Sequence, residues 1–322
     1  MVTFSDIMAA AKRLAPFITT TPLLESERLN ERLGGRLLIK AESLQKTGSF
    51  KFRGATNRIS QLGAEEKKAG VVAWSSGNHA QGVALAAKLH SVQATIVMPA
   101  DAPHVKINNT RNYGAHVVLY DRHTESREEI GTQIAHETGA TIIPPFDDPH
   151  IIAGQGTVGL EVATQTKLNN APLDDIVICL SGGGLSAGCA VALKELSPST
   201  RLWVAEPEGF DDAGRSLRAK KPLRNEPGGT SICDALLQPT PGELTLPILS
   251  DYGAGGVSAG DDQVLLAMKT AFAEFKLVLE PGGVMALSCV LSGQLDLKDK
   301  TVCVVATGGN VDQNIFETAL HR

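Results

Sequence analysis

Short unbroken apolar runs, each followed by a stretch of helix length, recur along nearly the whole of this 322-residue chain. Residues 37–40, 71–74, 94–98, 116–120, 140–143, 176–180, 202–206 and 301–306 read as strands. Between them, residues 80–89, 105–113, 126–138, 185–196, 262–275 and 284–292 read as helices. Strands that are apolar throughout, rather than on alternate residues, are buried on both faces. The alternation therefore predicts an α/β fold of parallel sheets flanked by helices. At this length two cores are expected. The run Pro144, Pro145, Phe146, Asp147, Asp148, Pro149 breaks regular structure and reads as a hinge crossing. The Pro- and Gly-rich stretch 220–252 is expected to wander over the surface.

Composition excludes several function classes. The formal net charge is -5, so nucleic acid is not expected as a partner, because neutralising phosphates needs clustered Lys and Arg. No run of 18 uncharged apolar residues exists, and the N-terminus lacks the basic and apolar regions of a signal peptide. Cys179, Cys189, Cys233, Cys289 and Cys303 are odd in number and form no C-x-x-C pair, which fits buried thiols in a reducing, cytoplasmic setting. With 32 glycines and only 4% aromatic residues, many tight turns around a small ligand are expected.

Four turns at strand ends carry chemistry. Ser181, Gly182, Gly183, Gly184 and Leu185 join a strand to a helix. Three successive glycines let backbone amides at a helix start approach an anion, and a phosphate is the natural occupant. The same loop holds Gly182-x-Gly184-x-x-Ala187, with Glu206 after the next strand, so a nicotinamide dinucleotide of an oxidoreductase is an equally valid occupant here. Ser75, Ser76, Gly77, Asn78 and His79 bring two hydroxyls, an amide and an imidazole to another helix start, which suits a carboxylate. Residues 307–310 make a third polar turn. Lys51 lies between Phe50 and Phe52, where apolar neighbours would lower its pKa and free its amine for attack on a carbonyl; a lysine stem lying along apolar surface explains the same pattern.

Taken together, six segments resemble the fold type II pyridoxal-phosphate enzymes, in the branch of serine/threonine dehydratases and serine racemase. They are SFKFRGA at 49–55, SSGNHAQG at 75–82, IAGQGT at 152–157, SGGGL at 181–185, EP at 280–281 and TGGNVD at 307–312. The dinucleotide alternative accounts for only one of the six. The resemblance implies a two-lobed fold of the tryptophan synthase β type, with a large domain at 1–69 and 148–322 and a small mobile domain at 70–147. It also implies a homodimer acting on an amino-acid substrate.

By the same resemblance, Lys51 corresponds to the lysine that links to the cofactor, with Phe50 or Phe52 beside the ring. Asn78 and Glu280 belong to the cofactor's surroundings, and Asn78 meets its phenolic oxygen. Ser181 to Leu185 form the phosphate cradle, with Ser181 where the branch has another glycine, and Thr307 faces the ring nitrogen. Ser76 matches the proton-transfer hydroxyl opposite Lys51 in serine racemase. Ser75 to His79 would hold the substrate's α-carboxylate, and Arg127 would meet a second carboxylate, as in 3-hydroxyaspartate. The pattern at 206–212 resembles the branch's Mg²⁺ or Ca²⁺ site, formed by Glu206, Asp212 and the Phe210 carbonyl. The implied reaction is loss of water and ammonia from serine, threonine or 3-hydroxyaspartate. Racemisation shares every motif, while β-replacement and a silent cofactor binder fit less well. With little chain after Asp312, a regulatory domain is not expected, which suits a catabolic role.

Overall fold

Ten strands carry the architecture: β1 (Leu23–Glu25), β2 (Arg36–Ala41), β3 (Val71–Trp74), β4 (Ala94–Pro99), β5 (His116–Tyr120), β6 (Thr141–Ile142), β7 (Asp175–Cys179), β8 (Arg201–Pro207), β9 (Gly255–Ala259) and β10 (Thr301–Ala306). They are drawn from a computed structural model that describes residues 1–102 and 104–322, with Val105 described by its backbone alone. One sheet runs β1-β2-β10-β7-β8-β9 and the other β5-β4-β3-β6. Every pairing is parallel except that of β1 with β2.

The larger sheet explains the unbroken apolar strands. Along β2, Leu37, Ile39 and Ala41 face one core while Leu38 faces the other. On β10, Val302, Val304 and Ala306 alternate in the same way with Cys303 and Val305. Period-two alternation thus feeds two apolar layers instead of one apolar and one wet face. The core of the smaller sheet draws Phe52, Ala55 and Ile59 from the helix Lys51–Ser60, and Ile151 from beyond the crossing.

The Pro-rich run is a bend only as far as Asp148. Pro149 occupies the first turn of a 20-residue helix, Pro149–Leu168, whose N-terminus is capped by the Asp148 carboxylate on the N–H groups of His150 and Ile151 at 2.8 and 2.9 Å. This helix passes through the centre of the molecule. A Cβ on Gly154 would lie 2.7 Å from the Gly54 Cα, and one on Gly156 would lie 2.8 Å from the Gly188 carbonyl oxygen. Helices Lys51–Ser60 and Gly184–Leu196 therefore pack on it backbone to backbone.

Two expectations are corrected. The stretch 220–252 does not merely wander: it forms the turn Asp234–Leu236 and the helix Thr245–Tyr252, and it buries Cys233, Leu236 and Leu249. The helix read at 262–275 is α-helical only over Asp261–Thr270 and ends in a π-helical turn, Ala271–Phe275.

A charged cluster is buried beside the first residues of the Lys51–Ser60 helix. The Arg53 guanidinium donates twice to Glu42, at 2.8 Å each, and twice to Glu161, at 2.7 and 3.0 Å. Lys40 Nζ donates to Glu161 at 2.6 Å, to the Gln165 side-chain oxygen at 2.9 Å and to the Thr21 carbonyl at 2.7 Å. Arg53, Glu42 and Lys40 are wholly buried. The fork-to-fork bonding of Arg53 with Glu42 offsets the desolvation of that pair, whereas burial still holds the Lys40 pKa below its ordinary value.

Candidate active site

A cavity of about 310 Å³ opens where β3, β7 and β10 end at their carboxyl edges, between the two sheets. Among its lining residues are Phe50, Lys51, Ser75, Ser76, Gly77, Asn78, His79, Arg127, Ser181, Gly182, Gly183, Gly184, Leu185, Glu280 and Thr307. Ligands in open α/β sheets sit at such edges. Phe52 is absent from this wall: it is fully buried in the small sheet's core, so Phe50 is the aromatic neighbour of Lys51. Being two residues apart at a helix start puts the two rings on opposite sides.

Lys51 opens its helix, with its Nζ donating to the Pro145 carbonyl at 2.7 Å and lying 5.2 Å from the centre of the Phe50 ring. Burial pushes its pKa down to about 8. A useful fraction of the amine is thus neutral near physiological pH.

The glycine loop is built for an anion. Gly183 has a φ of +92°, and a Cβ on Gly182 would run into the Phe146 ring at 2.2 Å. The Gly182 carbonyl is held by the Thr245 hydroxyl at 2.7 Å and the Gly242 N–H at 3.2 Å. The N–H groups of Gly182 to Leu185, at the start of the helix Gly184–Leu196, have no acceptor among the described residues. A phosphate fits that cradle.

On the opposite wall, Asn78 begins the helix Asn78–Leu89. Its amide donates to Glu280 in a short contact and accepts from Asn310 at 2.7 Å. Burial pushes the Glu280 carboxyl up to about 7, against the pull of Asn78 and Lys106. His79 is held neutral: burial, then the charge of Lys51, push its pKa down to about 3. Its Nε2 lies 2.9 Å from the Ile143 carbonyl and, facing an acceptor, carries the hydrogen. Arg127 starts the helix Arg127–Thr138 at the cavity's edge, where its Nε donates to Glu128 at 2.8 Å. It thus both lines the cavity and pairs with a neighbouring glutamate.

Sequence reasoning missed several lining residues. Phe146 was visible only as part of a chain break. Lys106, from the helix His104–Asn112, reaches Asp234 at 3.1 Å across the cavity, joining segments 128 residues apart. Cys179 Sγ lies 3.1 Å from the Thr307 hydroxyl. Asn310, which reaches the site only through its bond to Asn78, carries a signal as the end of the 307–310 turn.

Glu206 and Asp212 lie outside this cavity. The Glu206 carboxylate accepts the N–H groups of Ala213 and Gly214, at 2.9 and 2.7 Å, and lies away from the cavity that the glycine loop lines, so it cannot serve as a ribose acid there and the dinucleotide reading fails. Burial pushes Glu206 up to about 8 and Asp212 up to about 6, and each is near further carboxylates. Asp212 accepts from Asn225 through Oδ1, while its Oδ2 is buried with no partner. An orphaned carboxylate oxygen beside a second buried carboxylate fits a hard, oxygen-loving cation. No group of three His, Cys, Asp or Glu side chains placed to hold a metal ion is present among the described residues.

Comparison with known proteins agrees with this geometry. A family model for pyridoxal-phosphate dependent enzymes matches residues 14–308. The chain is 39% identical over 319 residues to an L-threo-3-hydroxyaspartate ammonia-lyase of Saccharomyces cerevisiae, covering 99% of this chain and 96% of that one. It is also 39% identical over 323 residues to an L-threonine ammonia-lyase of Thermotoga maritima, covering 100% and 79%. The structure of maize serine racemase superposes with a TM-score of 0.92 at 37% identity, covering 99% and 97%. The chain therefore belongs to the fold type II pyridoxal-phosphate dependent enzymes.

Proposed function

We propose that this chain is an ammonia-lyase that removes water from a small 3-hydroxy amino acid and releases a 2-oxo acid and ammonia. The observation that carries the reading is a buried lysine of lowered pKa sharing one cavity with an anion cradle of free N–H groups. Pyridoxal phosphate, when bound, supplies a reactive carbonyl and an electron sink for the substrate's α-carbon.

In this reading the N–H groups of Gly182 to Leu185 and Ser181 hold the phosphate, Phe50 flanks the ring, Asn78 and Glu280 line its edge, and Thr307 faces the ring nitrogen. The helix start at Ser75 to His79 holds the α-carboxylate. Lys51 Nζ takes up the α-proton, and Ser76 Oγ holds a proton for the other face, which also admits slow racemisation. Residues 70–147 form the mobile lobe, so closing it would exclude water from these groups. The enzyme works in the cytoplasm as a homodimer; five buried, unpaired thiols support the reducing setting. No helix among the described residues is long and apolar enough to cross a membrane.

Arg127 tests the substrate class. Release of 2-oxo acid should be measured from serine, threonine and 3-hydroxyaspartate. A distal carboxylate pairing with Arg127 gains roughly 1.5–3 kcal/mol, so Arg127→Ala should raise KM for 3-hydroxyaspartate by about tenfold or more and change serine turnover less. A parent enzyme indifferent to dicarboxylates would leave Arg127 a rim residue and serine or threonine the substrate.

Glu206, Asp212 and the Phe210 carbonyl hold Mg²⁺ or Ca²⁺ in this reading. The ion would stabilise the fold by about 2.7 kcal/mol at a hundredfold excess over Kd, so EDTA should lower Tm by several degrees and Mg²⁺ restore it. Identical Tm values with EDTA, with Mg²⁺ and in Glu206→Ala would remove the cation from the proposal.

A further inference from the structure

Cys179 ends β7, and Thr307 follows the end of the neighbouring strand β10. Both residues line the cavity, and both are more than nine-tenths buried. The backbone of Thr307 is pinned on either side: its N–H donates to the Gly283 carbonyl and its carbonyl accepts from the Phe50 N–H, each at 3.1 Å. Its side chain is β-branched and stiff. What remains free is the direction of the hydroxyl hydrogen. Among the described residues, Cys179 Sγ at 3.1 Å is the one side-chain partner of that hydroxyl, and Thr307 is likewise the one side-chain partner of the thiol.

We infer that Cys179 is a positioning residue: its S–H donates to Thr307 Oγ1 and turns the Thr307 hydroxyl hydrogen into the cavity, where it is donated to the cofactor's ring nitrogen. The inference rests on the placement of Thr307 beside that nitrogen.

Hydrogen accounting selects this direction. Two hydrogens must be placed, because burial pushes the thiol up to about 11 and keeps it protonated. If the Thr307 O–H pointed at sulfur, it would meet a weak acceptor and the thiol hydrogen would have none. Oγ1 would then be left to accept from the cavity, which suits only a protonated ring nitrogen. That would be a cation in a buried space where desolvation disfavours charge, as it does at Lys51. In the order S–H to O–H to cavity, every hydrogen has an acceptor and each bond polarises the next. The ring nitrogen then stays unprotonated, which limits its draw on electrons from the α-carbon and suits prompt loss of a leaving group.

The test uses holoenzymes loaded with cofactor labelled with ¹⁵N at the ring nitrogen. The ¹⁵N resonance and the cofactor dissociation constant are measured for the parent, Cys179→Ala, Cys179→Ser and Thr307→Val. Thr307→Val and Cys179→Ala should move the resonance in the same direction, towards a ring nitrogen that lacks a hydrogen-bond donor. The dissociation constant should rise about fivefold in Cys179→Ala, the loss of one ordinary hydrogen bond. Cys179→Ser should stay with the parent, because a hydroxyl donates in place of the thiol. If Thr307→Val moves the resonance and Cys179→Ala does not, the role of Cys179 is overturned while the placement of Thr307 stands. If Thr307→Val leaves it unmoved, Thr307 does not face the nitrogen and the inference falls with its premise. A Cys179→Ala shift towards the protonated nitrogen would reverse the relay, and a Cys179→Ser protein behaving like Cys179→Ala would assign the effect to packing; either result overturns the proposal.

Discussion

Lys51→Ala should lose turnover by several orders of magnitude, because in the proposed function covalent attachment of the cofactor and removal of the α-proton depend on the same Nζ. The parent protein should be yellow, and borohydride should fix the cofactor irreversibly to Lys51, readable by peptide mass. The position of that amine is set by two contacts, the Pro145 carbonyl at 2.7 Å and the Phe50 ring. The variant retains both partners and the glycine cradle, so it should fold and still bind the phosphate. A Lys51→Ala protein eliminating water at the parental rate would require a different lysine. Lys106, which also lines the cavity, would then be the one to examine.

Arg53→Ala should produce the largest loss of stability of any single change outside the cavity. Arg53 is wholly buried between Glu42 and Glu161, with four charge-assisted bonds between 2.7 and 3.0 Å. Removing it leaves Glu42 buried without its cation and Glu161 paired with Lys40 alone. Breaking a buried pair in this way costs roughly 3–5 kcal/mol, a large share of the roughly 5–15 kcal/mol that typically holds a domain together. Thermal and urea denaturation of the parent and variant provide the measurement. A loss below about 1 kcal/mol would mean that water already reaches the cluster and screens it.

The strands were legible because each carries its own signal, an apolar run bounded by turn residues, and β3, β5 and β10 fall where that signal placed them. The glycine cradle was legible for a similar reason, since three consecutive glycines between a strand and a helix state a local need. Arg53 carries no such mark. Its partners, Glu42 and Glu161, lie 11 and 108 residues away, and nothing near any of the three announces a buried ion cluster. Lys106 with Asp234 and Cys179 with Thr307 are hidden for the same cause, each pair being 128 residues apart. The stretch around Asp234 was obscured further by its prolines and glycines, which suggest exposed coil although Leu236 is buried and lines the cavity.

The central helix Pro149–Leu168 shows the opposite case, a long element whose own residues argue against it. Gly154, Gly156 and Gly159 each cost about 1 kcal/mol relative to alanine in a helix interior, so the segment has poor reason to be helical alone. What it gains is contact that no other residue permits, backbone against backbone with helices Lys51–Ser60 and Gly184–Leu196. One of those helices begins at Lys51 and the other in the glycine loop. The spacing between Lys51 and the glycine loop is therefore tied to how closely these glycine-lined helices approach one another. Mutational drift elsewhere in the core can be absorbed by rotamers. At these glycines it would be transmitted directly into the spacing of the active site.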